Sequence, residues 1–205
     1  SYAQSLNEER YMLKGVYFLF SEEELALVAT DGRRLAVTKR AMDEKAKSGG
    51  EFILPSSSVS ELERMPNLGN SVRVSFTDRQ VAFEMKVGNV DGDDKETTNG
   101  FVESIYLVSK VVEGKYPNYK QVIPAESKQR VTMDKEELQQ ALRRAEIMTS
   151  DKANSVKMTF SENNLTITSN SPEVGESRET MAINYAGEEV SIAFNPQFFI
   201  DPLKA

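Results

Sequence analysis

Phe20-Ser21-Glu22-Glu23-Glu24-Leu25-Ala26-Leu27 returns 140 residues later as Phe160-Ser161-Glu162-Asn163-Asn164-Leu165-Thr166-Ile167. Alternating apolar residues lead into each copy: Val16, Phe18 and Phe20 in the first, Val156, Met158 and Phe160 in the second. Alternation resumes after the polar break, at Leu25, Leu27 and Ala29 and again at Leu165 and Ile167. A period of two on both sides of a short polar break predicts an antiparallel hairpin with a tight connection. Val72, Val74 and Phe76, then Thr77-Asp78-Arg79-Gln80, then Val81 and Phe83 predict another.

A second pattern also recurs. Phe52-Ile53-Leu54 runs into Pro55 and a helical spacing at Val59, Leu62 and Met65. Val131-Thr132-Met133 runs into Asp134 and then Leu138, Ala141, Leu142, Ala145 and Met148. Ile192-Ala193-Phe194 runs into Asn195-Pro196 and then Phe198, Phe199 and Leu203. Each reads as a short strand, a helix start and an amphipathic helix. Asp134 with Glu137 three residues on is a capping-box spacing, and Asn195-Pro196 is an N-cap followed by Pro at the first helical position. The expected fold class is α+β, with duplicated units of one helix plus antiparallel hairpin strands and the helices on one side of the sheets. Self-similarity on a scale of tens of residues is the signature of repeated modules.

Pro124-Ala125-Glu126-Ser127-Lys128 reads as a linker, which sets expected domains at 1–124 and 125–205. Residues 89–100, rich in Asp, Gly and Asn, read as a polar loop. The first hairpin lacks the strand and helix that should precede it, and Ala205 stands in or just after the last helix, so a longer protein is expected.

Composition removes several functions. The 205 residues include no Cys and no His, so disulfides, thiolate chemistry and Ser-His or Cys-His nucleophiles are excluded, and a zinc site has no usual ligands. Asp91-Gly92-Asp93-Asp94 departs from a calcium loop, because Lys95 takes a ligand position and Glu96 the position of the turn glycine. The abundant carboxylates fall in turns (Glu22, Glu23, Glu24) or on a helix face (Glu61, Glu63), not in an evident acid–base pair. No catalytic residue, metal or cofactor is expected. The net charge is −7. Residues 1–124 hold 16 basic against 19 acidic side chains, and residues 125–205 hold 9 against 13. Neither half has the basic footprint of a groove-binding DNA protein.

Two segments ask for more than a structural explanation. Thr30-Asp31-Gly32-Arg33-Arg34-Leu35-Ala36-Val37 sets a sharp turn and two arginines before an apolar strand. Gly114-Lys115-Tyr116-Pro117-Asn118-Tyr119-Lys120-Gln121-Val122-Ile123-Pro124 is an extended, Pro-punctuated stretch before the linker. With Tyr11-Met12-Leu13-Lys14-Gly15-Val16-Tyr17-Phe18, Ser109 to Tyr119, Gln121-Val122-Ile123-Pro124 and Phe194-Asn195, these segments resemble, in order and over nearly the whole chain, the β subunit of bacterial DNA polymerase III, the sliding clamp.

The resemblance implies a non-catalytic processivity factor of cytoplasmic DNA replication, without a membrane association. It implies a ring of two head-to-tail subunits with three similar domains each, encircling duplex DNA independently of its sequence. This chain would hold most of the middle domain (1–124) and part of the last (125–205). It also implies a hydrophobic pocket where the replicative polymerase, the clamp loader and repair polymerases insert linear motifs. Matched by motif, that pocket would use Leu13, Thr30, Gly32, Arg33, Arg34, Leu35, Pro117, Gln121, Val122, Asn195 and Phe198. Arg10 and Tyr11 match a DNA-contacting loop, and Gln140, Arg143 and Arg144 lie away from the core stripe of their helix. Arg33 stands where the family often has His, Gln121 where a basic residue is common, and Ser56 and Ser57 where basic residues often follow the helix-start Pro. The rival reading is a peptide-binding module of the same fold with no DNA role.

Overall fold

The computed structural model describes residues 2–5, 8–42, 49–65, 71–86, 104–127, 129–149, 154–173 and 175–205, side chains of 8, 9 and 86 excepted. The loop at 89–100 and Lys128 of the linker lie outside the described residues. Two compact units emerge, one covering Ala3–Lys120 and the other Gln121–Ala205.

In the first unit a short 3-10 segment, Glu8–Leu13, leads into β1 (Gly15–Phe20), β2 (Glu24–Thr30), β3 (Leu35–Ala41) and β4 (Gly50–Pro55). These four strands form one antiparallel sheet in the order β3-β2-β1-β4. Helix α1 (Ser56–Arg64) follows β4 directly. It has no side-chain N-cap, and the Ser56 N–H instead donates to the Lys14 carbonyl at 3.0 Å. Then come β5 (Val72–Phe76), β6 (Gln80–Lys86) and β7 (Ser104–Lys110), a three-stranded sheet in chain order. A short 3-10 turn, Tyr119–Val122, ends the segment.

The second unit opens on α2 (Lys135–Ile147), followed by β8 (Val156–Ser161), β9 (Asn164–Ser171), β10 (Gly175–Ala182), β11 (Val190–Phe194) and α3 (Gln197–Lys204). Its sheet runs β10-β9-β8-β11. Strand for strand this is the first sheet again, with α3 following β11 as α1 follows β4. The hairpins share one register: Phe20 pairs with Leu25, Phe76 with Val81 and Phe160 with Leu165. The repeated Phe-x4-Leu/Val spacing therefore sets the same two-residue connection each time. In the third copy the connection puts Asn163 at φ 55°, a left-handed conformation that Asn tolerates.

The helix starts are made by the expected residues. The Asp134 carboxylate accepts the Glu137 N–H at 2.8 Å. The Asn195 side chain accepts the Gln197 N–H at 2.9 Å, and Pro196 already has helical φ and ψ. Leu138, Ala141, Leu142 and Ala145 are buried against Val156, Met158, Leu165, Ile167 and Met181. Met148 is half-buried and ends the helix.

One expectation needs correction. Val131-Thr132-Met133 is extended and keeps its alternation, with Val131 and Met133 packed on the core and Thr132 exposed. It is not a strand, because no ladder partner lies beside it among the described residues. The first sheet buries more than one face. Both faces are covered: Tyr17, Val28 and Ile53 pack in one cluster, and Phe18, Phe20 and Phe52 meet Phe76 and Phe83 of β5 and β6 in another.

Candidate functional site

The connection from β2 to β3 is a closed network built from five consecutive residues, Thr30 to Arg34. Thr30 Oγ1 accepts the Gly32 N–H at 3.0 Å and donates to the Arg34 carbonyl at 2.7 Å. Asp31 Oδ1 accepts the N–H groups of Arg33 at 2.9 Å and Arg34 at 3.0 Å. Asp31 Oδ2 lies 3.1 Å from Arg34 Nε. Burial pushes the Asp31 carboxyl up, but the two amides and the Arg34 guanidinium outweigh it and hold the group below the ordinary carboxylate range. Gly32 has φ +86°, a conformation that side chains rarely adopt, and the Arg10 guanidinium occupies the space where a Cβ would stand. Arg33 projects outward and is exposed.

Below this turn lies an apolar cluster. Leu13, Tyr17, Val28, Ile53, Tyr116 and Tyr119 are buried in it, and Met12, Leu19, Leu35 and Val112 pack against it half-buried. Tyr17 and Tyr116 stack with centroids 4.7 Å apart and planes 4° from parallel, while Tyr119 meets Tyr17 edge-on. The Tyr17 hydroxyl donates to Glu51 Oε2 at 2.6 Å, and burial together with that carboxylate raises the phenol well above its ordinary range. Burial pushes the Tyr116 hydroxyl up to about 12. Met12 and the Tyr11 hydroxyl close on Gly114, whose φ is +119°.

The structure therefore brings Arg10, Leu13, Thr30, Gly32, Arg34 and Leu35 to one place in the first unit. Leu13 is buried and belongs to the core under the turn, whereas Leu35 keeps an exposed part. Pro117 and Gln121 are exposed, and Val122 is 68% exposed at the end of its 3-10 turn. In the second unit Asn195 caps α3, and Phe198 is half-buried in that helix's first turn. Gln140 and Arg143 are exposed on the outer face of α2. Arg144 bonds Glu179 Oε2 of β10 at 2.7 Å. Tyr11 is 54% exposed. Sequence reasoning missed the placement of Arg10 over the turn and of Met12 on Gly114, which join segments far apart in the chain. It also missed Asp31, although an Asp two and three residues ahead of the arginines has the spacing of a side-chain-capped turn.

Duplicated three-strand units, each completed by a strand that runs into a helix, together with a pre-built turn over an aromatic cluster, define an α+β protein of the DNA-clamp fold. Models of the DNA polymerase III beta subunit match its central domain to residues 1–93 and its C-terminal domain to residues 120–205. The chain belongs to this family, that of the bacterial beta sliding clamp. It is 34% identical over 204 residues to the beta sliding clamp of Chlamydia muridarum, covering 100% of this chain and 51% of that protein. The crystal structure of the beta subunit from Thermotoga maritima matches with a TM-score of 0.81 and 30% identity, over 99% of this chain and 51% of that one. A sliding clamp from Pseudomonas aeruginosa bound to griselimycin matches with a TM-score of 0.83 and 26% identity, over 99% and 51%. The chain spans about half the length of the curated relatives it matches.

Proposed function

We propose that the chain acts as part of a non-catalytic replication clamp that encircles duplex DNA and tethers partners through linear motifs. Residues 1–124 would serve as the middle domain and 125–205 as part of the last, in a head-to-tail dimer. The residues proposed to bind partners are Leu13, Thr30, Gly32, Arg33, Arg34, Leu35 and Pro117 of the first unit and Gln121, Val122, Asn195 and Phe198 of the second. The observation that carries this reading is the Thr30–Arg34 network, which fixes a turn over an apolar cluster and leaves part of Leu35 open.

Two or three apolar anchors on such a surface contribute about 1.5–3 kcal/mol each. Micromolar binding needs about 8 kcal/mol. The affinity is therefore modest once ordering costs are met, which suits partners that exchange on one site. Net acidity fits a ring, since topology holds the DNA and strong phosphate contacts would oppose sliding.

Griselimycin, bound by the Pseudomonas aeruginosa clamp, is the probe. Leu35→Ala and Val122→Ala should each weaken its binding, and unchanged affinity by fluorescence anisotropy would remove the pocket. Encirclement is tested separately: protein retained on circular duplex should be lost when the DNA is linearised. Equal retention on both forms would favour a peptide-binding module with no DNA role.

A further inference from the structure

Asp31 accepts three hydrogen bonds within its own turn. Oδ1 takes the N–H groups of Arg33 at 2.9 Å and Arg34 at 3.0 Å, and Oδ2 takes Arg34 Nε at 3.1 Å. The Asp31 side chain is 18% exposed, so the chain itself supplies much of what solvates the carboxylate. The second unit shows how little this connection requires. Its counterpart between β9 and β10 has, among the described residues, one side-chain hydrogen bond, from the Glu173 N–H to the Ser171 hydroxyl at 3.4 Å. β9 and β10 still pair along their whole length, from Ser171 with Gly175 to Asn164 with Ala182. Asp31 therefore orders its turn beyond what strand pairing demands. The residues it orders flank Gly32 at φ +86°. Glycine has the widest backbone freedom of any residue, so a fixed shape there has to come from its neighbours.

We propose, resting on the pocket reading above, that Asp31 is a positioning residue for partner binding, whose Oδ1 holds Arg33, Arg34 and Leu35 in the binding shape and which touches no partner itself. A site that spends only part of its time in the competent shape loses affinity in proportion to that fraction. A turn already held in that shape binds with its full intrinsic affinity, and no movement on binding is required. The device is geometric. What matters is an oxygen at the place of Oδ1, within reach of both amides, and the ion pair with Arg34 is secondary to it.

Two variants of this chain separate position from charge. Asp31→Asn keeps an oxygen at the same place and drops the charge. Asp31→Glu keeps the charge and carries it one methylene further from the backbone. Each is titrated with fluorescently labelled griselimycin by anisotropy, at a temperature where circular dichroism shows it folded. Asp31→Asn should bind within about twofold of the parent. Asp31→Glu should bind about five- to tenfold more weakly, the result of a competent fraction of about one in five to one in ten. A purely structural role would lower the unfolding midpoint and leave both Kd values alone. That outcome, with Leu35→Ala still weakening binding, overturns the proposal. The reverse order assigns the effect to the Arg34 ion pair and overturns it too, as does equal weakening of both variants. Absence of binding by the parent chain, or a Leu35→Ala variant that binds as the parent does, removes the pocket reading and this inference with it.

Discussion

In β1 every residue except Leu19 is buried, while in β8, its counterpart in the second unit, only Val156 and Met158 are. The two strands hold the same place in sheets of the same order and the same hairpin register. The difference comes from what covers them. Tyr116 and Tyr119 pack against Tyr17, Val28 and Ile53 on one face of the first sheet. The corresponding face of the second sheet carries Lys157, Thr159, Thr166, Thr168 and Thr180, with Thr159 and Ser191 hydroxyls bonded at 2.8 Å. Register is thus a property of the hairpin and burial a property of the neighbours. One duplicated ladder can serve as a two-sided core in one place and a one-sided core in another.

The largest expected effect falls on the other face of the first sheet, the one that meets β5 and β6. Phe52 contacts Phe18, Phe20, Phe76 and Phe83. Phe52→Ala should cost about 3–5 kcal/mol, since removing a buried ring leaves a cavity that close-packed neighbours cannot fill. Leu142→Ala should cost about 2–5 kcal/mol in the second unit, where that side chain is fully buried. Hydrogen exchange resolved by residue checks both. Each substitution should lower protection in its own unit, and loss of protection in both units alike would show that they unfold as one body.

Asp31→Ala comes next, at about 1–2 kcal/mol, because it strips the acceptor from two amides and a guanidinium. The pH dependence has a definite sign. A carboxyl held below its unfolded value contributes stability at neutral pH, and the contribution fades as the pH falls through the folded value. Acid unfolding followed by circular dichroism should therefore show a shallower acid limb for Asp31→Ala than for the parent. The second unit has an acid-sensitive pair of its own: the Arg144 hydrogen bond lowers the Glu179 carboxyl. That pair is exposed to screening by salt, so added salt should flatten its acid response more than that of Asp31.

A smaller effect appears in alkali. The Tyr17 phenol is raised by burial and by the Glu51 hydrogen bond. An unfolded tyrosine ionises near 10. Stability from this group is complete below that pH and is lost as the pH rises from there toward the folded value. Tyr17→Phe should therefore make the first unit less sensitive between about pH 10 and 11. Identical alkaline profiles for variant and parent would mean that the Tyr17–Glu51 bond does not persist in solution.

What the amino-acid order reveals about this fold depends on whether the signal is local. Phe20 to Leu25 and Phe160 to Leu165 announce their hairpins because the turn lies inside the pattern. Asp134 and Asn195-Pro196 announce their helices because a cap acts on amides two or three residues away. The two-sided burial of β1 is hidden, since Val16, Phe18 and Phe20 satisfy a period of two and Tyr17 looks like an outward residue. Its partner Tyr116 stands far along the chain, and nothing in the spacing pairs them. The candidate site divides in the same way. The turn of Thr30 to Leu35 is readable from Asp-Gly and the arginines, whereas the aromatic floor beneath it and the Arg10 cover are products of the folded chain.

The smallest expected effects on stability are those on the outer face of α2, and they separate two neighbouring arginines. Arg144 spends its guanidinium on Glu179 at 2.7 Å, while Arg143 is exposed one residue before it. A cation already held by a carboxylate offers less to a phosphate than an unengaged one, because binding would first have to replace that partner. If the helix faces DNA, Arg143→Ala should lower the salt slope of DNA binding by about one, the value of a single lost phosphate contact. Arg144→Ala should change it less. Neither should shift the thermal midpoint measurably, as exposed pairs add little to stability. Equal salt slopes for parent and both variants would place this face away from DNA and return both residues to the role of a solvated helix surface.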